Sequence, residues 1–307
     1  MKSEVEDRAL GALLGLAVGD VIGTTLEFQP RDSYEPLTDM IGGGPFRLEP
    51  GQWTDDTAMA LALAESLIAC GGLDERDLME RFSAWRRRGD YSCTGTCFDI
   101  GHTTSAAIEQ FERSGEPIAG ATDPNSAGNG SLMRLAPAAL HGLANGGGSE
   151  AARRQSATTH GAAACLDACE HFTGLLIMAM NGESRDAVLA PQAVEAEPAI
   201  AAILAGSWRG KARQEIRSSG YVAHSLEAAL WAIGETGSFR DAVLLAANLG
   251  DDADTTAAVT GQLAGALYGQ SGIPAEWLDK LAWRERIEAL GRALLEPRAS
   301  RSAPAPA

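Results

Sequence analysis

Thr54-Asp55-Asp56-Thr57-Ala58-Met59-Ala60-Leu61-Ala62-Leu63-Ala64-Glu65-Ser66-Leu67-Ile68-Ala69-Cys70 opens on two adjacent carboxylates and continues as an almost uncharged apolar run. Its apolar positions, Met59, Leu61, Leu63, Leu67 and Ile68, fit a buried helix. A second stretch far along the chain is built the same way: Asp252-Ala253-Asp254-Thr255 leads into the apolar segment Thr256 to Tyr268. One such cluster is well explained as a helix start, with Thr54 as N-cap and the acidic side chains complementing the helix dipole. Two of them, each before a buried helix, are explained better by a cation at the floor of a cleft. Crowded carboxylates are unfavourable in a folded protein unless a cation or protons relieve them. Brought together, Thr54, Asp55, Asp56, Asp252, Asp254 and Thr255 would form a six-ligand oxygen cage suited to Mg²⁺ or Mn²⁺, between which oxygen ligands alone do not decide.

Working outward, helical periodicity recurs over Glu6 to Val18, Leu78 to Trp85, Thr103 to Phe111, Ala162 to Met180, Ser225 to Ile233 and Phe239 to Ala247. Ala275 to Leu295 reads as a final amphipathic helix broken near its middle. Strand-like alternation of β-branched residues is scarce, and the segments between helices, such as Asp123 to Gly130 and Gly142 to Gly148, are dense in Gly, Asn, Asp and Pro. The expectation is an all-α fold in a single compact domain over residues 1–296, followed by a disordered tail over 297–307. With 307 residues, 45% of them hydrophobic, a substantial core is assured.

The formal net charge of −16 argues against a nucleic-acid or anionic-membrane partner. The acidic N-terminal residues do not resemble a secretory signal, and the apolar run Ala9 to Val18, interrupted by Gly11 and Gly15, is too short to span a bilayer. No membrane insertion, a cytoplasmic location and a monomer are the expectations. Five cysteines, an odd number, argue against a disulfide framework. Cys93/Cys97 and Cys165/Cys169 have helical spacing rather than that of a structural zinc pair, so they read as core packing.

Three further segments are candidates for ligand binding. Gly128-Asn129-Gly130-Ser131-Leu132-Met133-Arg134 is a glycine-spaced loop whose N–H groups could approach a diphosphate, although many such loops are simple turns. Thr158-Thr159-His160-Gly161 places His160 before an apolar helix, where it could touch a phosphate or ribose or serve as a structural residue. Ser218-Ser219-Gly220-Tyr221 offers Tyr221 as a nucleoside platform or a core anchor.

In this order the pieces resemble the ADP-ribosylglycohydrolase family: Gly15-Leu16-Ala17-Val18-Gly19-Asp20 through Glu27-Phe28, Trp53 to Thr57, the glycine loop with Ala136-Pro137, Thr159-His160, Ser219 to Val222, and Asp252 to Thr255. Thr94-Gly95-Thr96-Cys97-Phe98-Asp99-Ile100-Gly101 looks most like the bacterial dinitrogenase-reductase-activating branch, which removes ADP-ribose from arginine. The resemblance implies a dinuclear Mg²⁺ or Mn²⁺ cleft held by Thr54, Asp55, Asp56, Asp252, Asp254 and Thr255. It implies catalytic roles for Asp99, Asp55 and Glu27, with Asp99 against the guanidinium. Gly128, Asn129, Gly130, Ser131, Met133, His160 and Tyr221 would face the diphosphate and adenosine of an ADP-ribosylated protein substrate. Other ADP-ribosyl linkages, such as O-linked serine, and a non-catalytic ADP-ribose-binding role are the alternatives. One departure is Asp251, which follows Gly250 where the family usually has a second glycine; a positive φ there is tolerated by Asp better than by most residues.

Overall fold

The structure is a computed structural model that describes residues 2–297. The described residues form fourteen α-helices: α1 (Lys2–Gly23), α2 (Asp55–Cys70), α3 (Glu75–Arg88), α4 (His102–Ser114), α5 (Ala136–Asn145), α6 (Gly148–Ala157), α7 (Ala163–Met180), α8 (Arg185–Val188), α9 (Pro198–Leu204), α10 (Val222–Glu235), α11 (Phe239–Ala247), α12 (Ala253–Tyr268), α13 (Ala275–Lys280) and α14 (Arg284–Leu294), joined by loops and short 3₁₀ turns. No β-strand is formed among them, only isolated bridges such as Gly128–Tyr221. The all-α expectation therefore holds. The expected tail, apart from Pro297, lies outside the described residues.

The most extensive helix pair is α1 with α12. Four glycines spaced every fourth residue on α1 form one ridge against it. A Cβ at Gly11 would lie 2.3 Å from Gly265 O, at Gly15 2.2 Å from Gly261 O, at Gly19 2.2 Å from Ala257 O, and at Gly23 2.3 Å from Ala253 O. Numbers rise along one helix as they fall along the other, so the helices run antiparallel with backbones in direct contact. Residues four apart share one helix face, which is why this spacing makes a continuous flat stripe. The glycines therefore do not interrupt the apolar run Ala9 to Val18. Helix α1 extends well past both its ends, and with the turn to Leu26 it is long and apolar enough to cross a membrane, as is α7; of the apolar 18-residue stretch in each, 94% and 56% is buried inside the protein.

Close approach also corrects the reading of Gly142 to Gly148 as a loop. Helix α5 continues to Asn145 and α6 begins at Gly148, so Gly146 and Gly147, both at positive φ, are the whole connection. A Cβ on Gly142 would meet the Gly148 Cα at 2.4 Å. These two glycines seat one helix on the next. The break expected within Ala275 to Leu295 is present between α13 and α14, with Trp283 at φ 56°.

A paired substitution tests the ridge. Gly261→Ala should lower stability by about 3 kcal/mol or more, the upper end for overpacking, because a backbone carbonyl cannot rotate away. Gly174→Ala, on a helix face with nothing within 4 Å, should be neutral or stabilise by up to about 1 kcal/mol through helix propensity. Urea midpoints of the two variants would decide; equal effects would mean that the ridge carries no special packing constraint.

Candidate active site

Helix α2 is started by a residue of another helix. The wholly buried Asp20 carboxylate, on α1, accepts from Thr54 N at 3.0 Å, Thr54 Oγ1 at 2.9 Å, Thr57 N at 3.0 Å and Thr57 Oγ1 at 2.6 Å. Thr54 is at the N-cap position yet makes no side-chain cap. Its hydroxyl lies 3.4 Å from Asp254 Oδ2, so the two acidic clusters, two hundred positions apart, meet. Asp56 is fully buried, and neither of its carboxylate oxygens has a hydrogen-bond partner. Two orphan anionic oxygens in a core are strongly unfavourable unless something else binds them.

The start of α12 is capped from outside as well. Glu27, in the turn after α1, accepts from Ala253 N at 2.8 Å and Asp254 N at 3.2 Å. Carboxylate oxygens of Glu27, Asp252 and Asp254 lie within 4.8 Å of one another. Asn129 donates to Asp252 at 2.8 Å, tying the glycine loop to this group. Asp251 adopts φ 55°, the left-handed conformation expected for it, and pairs with the Glu27 loop through Phe28 N→Asp251 O at 2.7 Å and Asp251 N→Gln29 O at 2.8 Å. It lines the same cavity but stands outside the close carboxylate trio. Arg31, which no motif singled out, braces the loop by donating to the carbonyls of Leu249, Arg213 and Ile216.

Electrostatics follow from this crowding. Burial, then repulsion from Asp254 and Asp252, pushes Glu27 up to about 12. Burial, then Asp254 and Asp55, pushes Asp99 up to about 11. Asp254 rises to about 7 and Asp20 to about 6, both chiefly by burial, while Asp55, Asp56 and Asp252 also rise, for the same first reason. Without a cation the cluster is held together by protons. Hard oxygen donors, converging carboxylates and the orphaned Asp56 fit divalent cations such as Mg²⁺ or Mn²⁺. The structure thus contains a candidate acidic metal-binding cluster.

A cavity of about 840 Å³ opens on this cluster. Glu27, Asp55, Asp99, Asp252, Asp254 and Thr255 line it together with Gly128, Asn129, Gly130, Met133 and His160. Thr54 and Asp56 lie behind it. Ser131, wholly buried, accepts from Ser156 Oγ at 2.8 Å beneath the loop, and Tyr221 sits beside the cavity in edge contact with His224. The loop glycines have a reason independent of any ligand: a Cβ at Gly130 would be 2.7 Å from His160 Cε1 and one at Gly128 3.2 Å from Nε2. His160 is neutral, pushed down to about 3 by burial and by Arg134. Arg134 is itself fully buried. It donates to Gly130 O, Gln155 Oε1, Gln155 O and Thr159 Oγ1, and packs over Phe82. Cys165 and Cys169 pack under the same loop, with Cys165 Sγ 3.2 Å from Gly128 O.

The model of the ADP-ribosylglycohydrolase family matches residues 1–304. The chain is 50% identical over 294 residues to the ADP-ribosylarginine hydrolase Tri1 of Serratia proteamaculans (strain 568), covering 95% of this chain and 80% of that protein. It is 37% identical over 290 residues to the ADP-ribosyl-[dinitrogen reductase] glycohydrolase of Rhodospirillum rubrum, covering 90% and 91%. A solved ADP-ribosylglycohydrolase-related protein complex superposes with a TM-score of 0.85 at 43% identity, covering 95% of this chain and 98% of that one.

The raised carboxylates set the sign of a pH dependence in metal-free protein. Asp20 at about 6 and Asp254 at about 7, against an ordinary 3.8, bind protons more tightly folded than unfolded. Their contribution is complete below the unfolded value and lost as pH rises through 6 to 7. With EDTA, the melting temperature should fall between pH 5 and pH 8, and added Mn²⁺ or Mg²⁺ should restore more at pH 8 than at pH 5. A flat or rising metal-free profile would show that these groups do not titrate as described.

Proposed function

The chain belongs to the ADP-ribosylglycohydrolase family, and from that premise we propose that it hydrolyses the N-glycosidic bond between ADP-ribose and arginine side chains of a modified protein. Two divalent cations, Mg²⁺ or Mn²⁺, would be held by Thr54, Asp55, Asp56, Asp252, Asp254 and Thr255. The observation that carries this reading is the meeting of the two acidic clusters at the wall of one large cavity, with Asp99 facing them. The name borne by the Serratia relative, an ADP-ribosylarginine hydrolase, supports arginine as the modified residue.

When bound, the cations supply Lewis-acid polarisation of the ribose hydroxyls. Asp99 keeps a proton because burial and neighbouring carboxylates disfavour its anion. A protonated carboxyl can pass that proton to the departing guanidine nitrogen. The carboxylate that results then pairs with the guanidinium through two charge-assisted hydrogen bonds. Asp55 and Glu27 line the same cavity; with cations offsetting the neighbouring negative charge they would be anionic, and either could then take the proton of the attacking water. Glu27 also caps α12, so one carboxyl serves the ligand loop and the helix start. Gly128, Asn129, Gly130, Met133 and His160 would face the diphosphate side, with Ser131 supporting the loop from below and Tyr221 beside it. The acidic character suits a cationic arginine, while cations offset the anionic half of the substrate.

Peptides carrying ADP-ribosyl-arginine or ADP-ribosyl-serine, assayed with Mn²⁺, Mg²⁺ or EDTA, test the proposal. Release of ADP-ribose from the arginine peptide, abolished by EDTA, is expected; turnover of serine alone would reassign the linkage, and binding without turnover of either would favour a non-catalytic reader. Asp99→Asn should lower kcat by about 10²- to 10⁴-fold, the usual weight of a general acid, while ADP-ribose binding stays nearly unchanged. Asp55→Ala and Asp254→Ala should each reduce bound metal measured by elemental analysis.

A further inference from the structure

The cavity accounts for the ADP-ribose half of such a substrate, and the polypeptide half has to leave past Glu27 and Asp99. Three loops meet there, and each carries a phenylalanine. Phe28 directly follows Glu27, lines the cavity and is 64% exposed. Phe98 directly precedes Asp99. Phe46 stands between them, its ring centroid 6.3 Å from that of Phe28 at 74° and 5.1 Å from that of Phe98 at 52°. Edge-to-face and tilted contacts at these separations are favourable arrangements, so the rings form one row.

The row is braced. The Phe46 loop is closed by Gly43 N→Leu48 O at 2.7 Å and Leu48 N→Gly43 O at 2.9 Å. Thr25 Oγ1 holds Gly42 O at 3.2 Å, and a Cβ on Gly44 would meet Thr24 O at 2.1 Å. The loop is therefore seated on the turn that leads to Glu27. Phe28, Arg47 and Asp99 all take left-handed φ, at 61°, 56° and 60°. Non-glycine residues hold that conformation only where the surroundings impose it, and such positions gather at functional sites. Ile41, at the start of the same loop, is 60% exposed.

We propose that Phe28, Phe46 and Phe98 form an aromatic rim that binds the polypeptide flanking the modified arginine of a protein substrate. This rests on the reading of the cleft as an ADP-ribosyl-arginine hydrolase. The occupant is set by continuity with the cleft. With the guanidine at Asp99 and the ribose at the acidic floor, the aliphatic arm of the arginine crosses the rings before its main chain reaches the surface. Phenyl faces suit those methylenes and the cationic character of the group leaving the ribose.

Two probes separate the rim from the cleft: ADP-ribosyl-guanidine, a free conjugate with no aliphatic arm or main chain to lay on the rings, and ADP-ribosyl-arginine inside a short peptide. Phe46→Ala should raise KM for the peptide by about 5- to 20-fold, the weight of one aromatic anchor, leaving kcat and the free conjugate unchanged. Phe46→Tyr should keep wild-type values. Ile41→Ser, on an exposed side chain, should raise peptide KM more weakly and guards against misfolding of the first variant, which its melting temperature would report. Equal losses on both probes, or no change in peptide KM from either variant, would overturn the rim. Wild-type protein that hydrolyses neither probe would overturn the functional premise instead.

Discussion

Backbone contact between α1 and α12 is the constraint from which the site follows. With glycine at every fourth position of α1, the helices approach until carbonyl oxygens occupy the space where Cβ atoms would be. That contact fixes the register as well as the distance. The C-terminal end of α1, with Asp20 and the turn to Glu27, is thereby set beside the N-terminal end of α12, with Asp252 and Asp254. Asp20 then takes hold of the start of α2 through Thr54 and Thr57, which delivers Asp55 and Asp56 to the same place. Three helix ends are gathered by one steric fact and one buried carboxylate.

Gathering them concentrates negative charge in a poorly solvated volume. Among the described residues, no arginine or lysine forms an ion pair with the carboxylates of the group. Arg134, the buried cation nearby, spends its donors on carbonyl, amide and hydroxyl oxygens. The group therefore stays open to a cation of higher charge. A salt bridge to a side chain would have steadied the fold but filled the position a divalent ion needs. Stability in this region is tied to occupancy, by protons or by metal.

Much of this was legible in the sequence, for identifiable reasons. The acidic clusters stand before helices too apolar to be amphipathic, and that contrast identifies them without any structure. The left-handed Asp251 could be anticipated because it stands where the family that the sequence resembles usually has a second glycine. Less visible was anything depending on what lies across from a residue. Gly11 and Gly15 look like interruptions until the spacing is extended through Gly19 and Gly23, and Gly142 looks like loop until it is set against Gly148. Thr54 reads as an N-cap, but Asp20 does the capping from α1. Ser131 sits in a promising loop yet turns inward. Arg31 acts through three backbone carbonyls, a role that leaves no local pattern.

The buried Arg134 has a consequence for how the cleft is wired for hydrogen. Thr159 has one hydroxyl proton; Arg134 donates to its oxygen at 2.9 Å, and His160 Nδ1 is the other partner, at 2.8 Å. With the proton of Thr159 directed to Nδ1, a neutral imidazole carries its own hydrogen on Nε2; with Nδ1 protonated, the same oxygen accepts from both Arg134 and the ring. One hydroxyl thus links the buried arginine to the ring at the cavity wall. At that wall of the cavity the ring stays uncharged across the whole physiological pH range, so it meets a ligand as a dipole and never as a cation.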